Sequence, residues 1–148
     1  MIKFLLSFIL ITLSSICNAE SSPDYFRNGD LRSGSISSKV ENPSRSGTVG
    51  YYSVEVKPAH YGKTGNFSID IKASNISGWA GLWIHTADKN QEILGFDNMQ
   101  DRPISGTTSW KRYENTIYIP QNARYISFGV LLHGEGQVYF KNFNFFIN

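Results

Sequence analysis

Cysteine is almost missing from this chain: its 148 residues include one, Cys17. That residue lies in the opening stretch MIKFLLSFILITLSSICNA, where the lone charge of Lys3, an apolar run from Phe4 to Leu13 and small residues leading to Ala19 follow the order of a secretory signal peptide. Cleavage after Ala19 is expected, and it removes the cysteine. The remaining 129 of 148 residues then carry no thiol and no disulfide, so packing must supply the stability. Acylation of Cys17 is the competing reading, but Ile16 puts a bulky side chain where lipid processing wants a small one. No apolar run reaches the about 20 residues that a bilayer span needs, so stable membrane insertion is not expected. A secreted or periplasmic destination follows. Charge of one sign is also scarce. The formal charge is +2, and losing Lys3 leaves +1, which argues against nucleic acid as a partner.

Helical periodicity is the next absence. Residues 20–50 are rich in Ser, Asn, Gly, Arg and Pro, and are expected to be a loop-rich opening with one short strand over 36–40. From 51 to 148 the chain alternates apolar and polar residues with period two, broken by turn residues. Strands are predicted over 51–57, 65–74, 78–86, 92–96, 111–119, 125–132 and 137–146. Asp88, Lys89, Asn90 and Gln91 form one hairpin-length turn and Gly134, Glu135 and Gly136 another, while Pro120 ends a strand. The fold class is therefore all-β, a two-sheet antiparallel sandwich formed by a single domain over 20–148. Its inward positions are Phe67, Ile69, Ile71, Leu82, Ile84, Ile117, Ile126, Phe128, Val130 and Phe140.

The richest stretch for function is SGWAGLWIHTADKNQEILGFDNMQDRPI, residues 77–104. On alternation Trp79, Gly81, Trp83 and His85 share one face of a strand, and Ala80, Leu82 and Ile84 share the core face. Four residues at about 3.3 Å each put the two indoles about 13 Å apart, with a glycine between them that leaves the surface open. A polar loop follows, offering Asp97, Asn98, Gln100, Asp101 and Arg102. Flat indoles suit the apolar faces of sugar rings, and polar edges fix orientation. The bland alternatives are buried core indoles and a loop that satisfies its own hydrogen bonds.

Chemistry beyond binding lacks support. His60, His85 and His133 show no metal-ligand spacing, no Ser-His-Asp motif or phosphate-cradling glycine loop is present, and no catalytic residue is assigned. Asp97 and Asp101 are the carboxylates to weigh for a glycosidase, a reading that their separation decides.

Residues 107–145 resemble the closing half of galactose-binding-like jelly-roll carbohydrate-binding modules, through Trp110, Tyr113, Pro120, Ala123, Ile126, Phe128, Gly136, Val138, Phe140 and Phe143. Asn28, Gly29 and Asp30 resemble the opening of such modules, and YGKTGNFSIDIKA their glycine-lysine turn and first core strand. A longer string, GWAGLW, FDNMQDRPI, GTT and FGVLL, is similar to a bacterial domain often fused to AraC-type regulators. No helix-turn-helix pattern appears in this chain, so regulator activity is not carried over. The resemblance implies a jelly-roll sandwich that binds a glycan or other small polar ligand. Many such modules hold a structural calcium. Asp30 could serve here, but Asn142 stands where they often carry aspartate, so no cofactor is expected. The other function weighed is a secreted protein-interaction module, for which a flat patch of Tyr118, Tyr139 and Phe145 would speak.

Overall fold

The structure is a computed structural model that describes the backbone of residues 25–27, 33–38 and 46–148 and the side chains of 52–148. The expected export signal, Cys17 and the Asn28 to Asp30 motif lie outside the described residues. Among the described residues the strands are β1 (Tyr25–Arg27), β2 (Ser33–Ser38), β3 (Ser46–Glu55), β4 (Thr64–Ala87), β5 (Ile93–Asp97), β6 (Ile104–Tyr118), β7 (Tyr125–His133) and β8 (Gly136–Ile147), with a short 3-10 turn at Pro58–His60. The protein is all-β and antiparallel, as the alternation predicts.

One 24-residue strand organises the fold. The first half of β4 pairs with β6 and β8, and its second half pairs with β5 and β7. The continuous sheet thus curls along β4 into two leaves, β6-β4-β8-β2 and β5-β4-β7-β3-β1. The strands predicted over 65–74 and 78–86 are one strand that changes leaf between them. The segment expected to be mostly loop contributes β1, β2 and the start of β3.

The inner faces of the leaves close on a core that holds Phe67, Ile69, Ile71, Leu82, Ile84, Ile126, Phe128, Val130 and Phe140, all buried, with Ile117 half-buried against it. Phe67 of one leaf meets Phe128 of the other with ring centroids 4.6 Å apart, and Phe145 stacks on Phe128 at 4.4 Å. Phe145 is therefore core, and it cannot join Tyr118 and Tyr139 in an exposed patch. The period-two pattern at the end of β8 hides this, because Phe143, Phe145 and Phe146 are all aromatic and only the pairing of Phe67 with Phe145 fixes which one points inward.

Gly134 and Glu135 do not close a hairpin, because β7 and β8 lie in different leaves. They run beside the point where β4 also changes leaf. Ser77 N–H donates to the Glu135 carbonyl at 2.9 Å, and Glu135 N–H donates to Ser77 Oγ at 3.0 Å. The turn expected after Ala87 is present: Asp88 Oδ1 accepts from the N–H groups of Asn90 and Glu92 at 2.8 and 2.9 Å, and Gln91 takes φ +67°.

Candidate functional site

Alternation along β4 turns Trp79, Trp83 and His85 to the outer face of the second leaf, away from the core. The register sets Trp79 opposite His133, Gly81 opposite Leu131 and Trp83 opposite Gly129 on β7, and His85 opposite Phe96 on β5. The connection from β5 to β6 folds over the same face. Together these build a groove of about 460 Å3 lined by Trp79, Trp83, His85, Phe96, Asn98, Gln100, Leu131 and His133. Trp79, Trp83, His85 and His133 are half-buried, and Phe96 is 54% exposed. The indoles are neither core nor free on the surface. Each lies beside an imidazole, Trp83 stacked with His85 at 5.5 Å and Trp79 tilted against His133 at 6.1 Å.

The loop reaches this position through a gap in the sheet. On the β5/β6 side of β4, pairing to β6 reaches Ala80 and pairing to β5 begins at Ile84. The backbone of Leu82 falls in the gap, where an unpaired buried amide would be costly. Side chains fill it. Leu82 N–H donates to Met99 Sδ at 3.3 Å, and buried Asn115 donates from Nδ2 to the Leu82 and Asp97 carbonyls, each at 3.3 Å. Met99 is buried and adopts φ +60°, an uncommon conformation for a residue with a Cβ, held by Asp97 Oδ1 accepting its N–H at 2.8 Å. Gly81 makes room for this loop. A Cβ there would meet the Asn98 carbonyl and Met99 Cβ at 3.0 Å. The glycine expected to leave the surface open instead lets the loop backbone descend onto β4.

The five polar loop residues divide between two tasks. Asn98 and Gln100 line the groove. Asn98 Oδ1 accepts the Gln100 N–H at 3.1 Å, while the Asn98 Nδ2 and the Gln100 side chain make no hydrogen bond among the described residues. Asp97, Asp101 and Arg102 lie outside the groove lining and bind one another. Arg102 donates to Asp97 Oδ2 at 2.6 Å, Asp101 Oδ1 at 2.7 Å and Asn115 Oδ1 at 3.1 Å. Sequence reasoning missed Phe96, Leu131, His133, Met99 and Asn115. Alternation could have flagged Leu131 and His133, which fall on the face of β7 opposite to its core residues.

Burial works to raise the Asp97 carboxyl, but the Arg102 hydrogen bond, the Met99 N–H, the Arg102 charge and Asn115 together hold it below the ordinary carboxylate range. It is an anion at neutral pH and an unsuitable proton donor for glycoside cleavage. Among the described residues no cluster of His, Cys, Asp and Glu could hold a metal ion. At the position where the resembled modules often carry aspartate, Asn142 donates to Asp70 Oδ2 at 2.9 Å.

His85 gives the groove a pH signature. Burial pushes its imidazole below the ordinary 6.5, so the folded protein resists a proton that the unfolded chain accepts. Above that value both states are neutral there and no contribution arises. As the pH falls through the interval between the unfolded and folded values, stability is lost. Thermal unfolding of the protein and of His85→Gln, measured from pH 8 down to pH 5, should show the variant gaining relative to the parent as the pH drops below about 6.5. A difference independent of pH would rule out the buried imidazole as the cause.

No family model matches this chain. The "Uncharacterized HTH-type transcriptional regulator YbfP" of Bacillus subtilis is 41% identical over 80 residues, which are 54% of this chain and 27% of the regulator. The chain thus spans about a quarter of the curated relative it matches. Among solved structures, the enzymatically active domain of bacteriophage CBA120 tailspike protein 4 aligns with a TM-score of 0.55 at 11% identity, over 83% of this chain and 17% of that one. A chain from the structure of accessory secretory protein 1, 2 and 3 in Streptococcus pneumoniae aligns with a TM-score of 0.50 at 12% identity, over 100% of this chain and 99% of that one. The CBM22-1 xylan-binding domain of Paenibacillus barcinonensis Xyn10C aligns over 78% of this chain and 80% of its own, with a TM-score of 0.46 and 11% identity. With the first two of these structures the chain shares its fold.

Proposed function

We propose that this protein is a secreted, non-catalytic binding module that takes a neutral, polyhydroxylated ligand, a glycan, in the groove between Trp79 and Trp83. The observation that carries the reading is the composition of the groove lining: two half-buried indoles, two imidazoles, a phenyl ring, a leucine and two carboxamides, with no carboxylate, ammonium or guanidinium among them. Aromatic faces with few placed polar groups suit sugar rings, whose carbon faces are apolar and whose edges carry hydroxyls. A charged ligand would find no counter-ion there. The Asn98 and Gln100 amides offer both donors and acceptors to hydroxyls. The Asp97, Asp101 and Arg102 cluster acts as a buttress that keeps the wall in place and leaves no free carboxylate pair for hydrolysis.

The test pairs binding with stability. Neutral oligosaccharides are screened on a glycan array, and a hit is titrated calorimetrically against the parent, Trp83→Ala and Gln100→Ala. Gln100 is exposed, so its truncation should change stability by no more than about 0.5 kcal/mol while weakening the ligand about tenfold. Trp83→Ala should weaken it further. Binding that survives both truncations, or an array with no neutral glycan retained, would overturn the reading.

A further inference from the structure

The outer face of the other leaf, across the core from the groove, carries charge where the groove carries none. On β4, Ser68, Asp70 and Lys72 alternate with the buried Phe67, Ile69 and Ile71. The register puts Asp70 between Arg112 of β6 and Lys141 of β8, and Lys72 beside Tyr139. Arg112 donates to Asp70 Oδ1, the Asn142 carbonyl and Ser68 Oγ, each at 2.9 Å. Hydrogen bonds from Asn142 and Arg112 hold the Asp70 carboxyl below its ordinary range, so its charge persists and is matched by Arg112.

Two ammonium groups on this face lie over aromatic rings, and the charge of one of them, Lys141, also acts on Asp70. Lys141 Nζ lies 4.2 Å from the centroid of the Trp110 ring, and Lys72 Nζ lies 5.5 Å from that of Tyr139. Neither lysine forms an ion pair among the described residues. Trp110 is 43% exposed. A cation over an aromatic face is held by the ring quadrupole while its N–H groups still point to solvent. Glu114, opposite Ser68 and beyond the Asp70 network, is the acid at the far end of the strip. Rings and lysine ammonium groups therefore neighbour one another across the partly exposed outer face of this leaf.

We propose that this face is a second binding site, for an acidic glycan whose sugar rings carry carboxylates. Lys72 and Lys141 meet the carboxylates, and Trp110 and Tyr139 meet the ring faces. The chemistry is complementary to that of the groove: ring contact is common to both, but the second site requires charge. It stands or falls independently of the groove.

Polygalacturonate oligomers are the probe, titrated at low and at physiological salt, with polyphosphate of equal charge in parallel. The parent should bind the uronate, more weakly as salt rises, since these exposed charges are screened. The Lys72→Gln and Lys141→Gln double variant should lose at least about tenfold in affinity, Trp110→Ala a comparable factor, and Trp83→Ala nothing. Both lysines lie outside the core, so the double variant decides the matter even if Trp110→Ala lowers the melting temperature. Absence of uronate binding, or binding indifferent to the lysine double variant, would overturn the proposal. Polyphosphate binding as tight as uronate binding would also overturn it, since charge alone would then explain the contact.

Discussion

Phe128→Ala should destabilise the protein by about 3 to 5 kcal/mol, a large part of the roughly 5 to 15 kcal/mol that holds a domain of this kind together. Phe128 is fully buried in the middle of β7. It is where the leaves meet, with Phe67 at 4.6 Å, Phe145 at 4.4 Å and Tyr52 at 6.1 Å between ring centroids. Truncation to a methyl group leaves a hole walled by rings on paired strands, which cannot relax into it without breaking ladder hydrogen bonds. Both the transfer loss and the cavity therefore apply. Urea unfolding of the parent and the variant, with the slope compared as well as the midpoint, measures the loss. A value below about 1 kcal/mol would show that the aromatic stack is not what joins the leaves.

The second large effect belongs to a residue with no side chain. Gly78→Ala would drive a Cβ into the His133 carbonyl oxygen, a backbone atom in a paired strand that has no rotamer to retreat into. The expected cost is about 1 to 3 kcal/mol or more, because the corner must open to admit the methyl group. Function should suffer with it: Gly78 precedes Trp79, and the displaced carbonyl belongs to His133, so both ends of the Trp79 and His133 contact shift together. Gly65→Ala is the matched control, since its Cβ would meet Ile117 and Phe145 at an ordinary 3.4 to 3.5 Å. If the two variants melt at the same temperature, the corner is not tightly built. If Gly78→Ala melts lower yet binds normally, the groove does not depend on it.

The corner was only half visible in the sequence. Gly134 and Gly136 stand out as turn residues, and local reasoning turned them into a hairpin, while Gly78 reads only as the start of a strand. A hairpin and a change of leaf use the same residues. What separates them is whether β7 and β8 pair with each other, and here each pairs with a different half of β4. Gly134 at φ +89° and Gly136 at φ +129° accept the backbone of residues 75–78 at close range, a contact between segments nearly 60 positions apart. For the same reason the two predicted strands merged into β4, since no local residue reveals that a strand continues through a bend.

Alternation by itself determined the class of fold, most of the core and the face on which Trp79, Trp83 and His85 stand, because a strand's period of two is a local property that every residue reports. The polar loop was also legible as a set of residue types. Only the tertiary structure decided how that set divides, with Asn98 and Gln100 in the groove and Asp97, Asp101 and Arg102 bound to one another. It also decided that Met99 and Asn115 complete the gap at Leu82 and that Phe96 and His133 complete the wall. Those assignments depend on which backbone groups the ladder leaves unpaired and on which strands become neighbours. Both are set by long-range pairing, which a period of two does not encode.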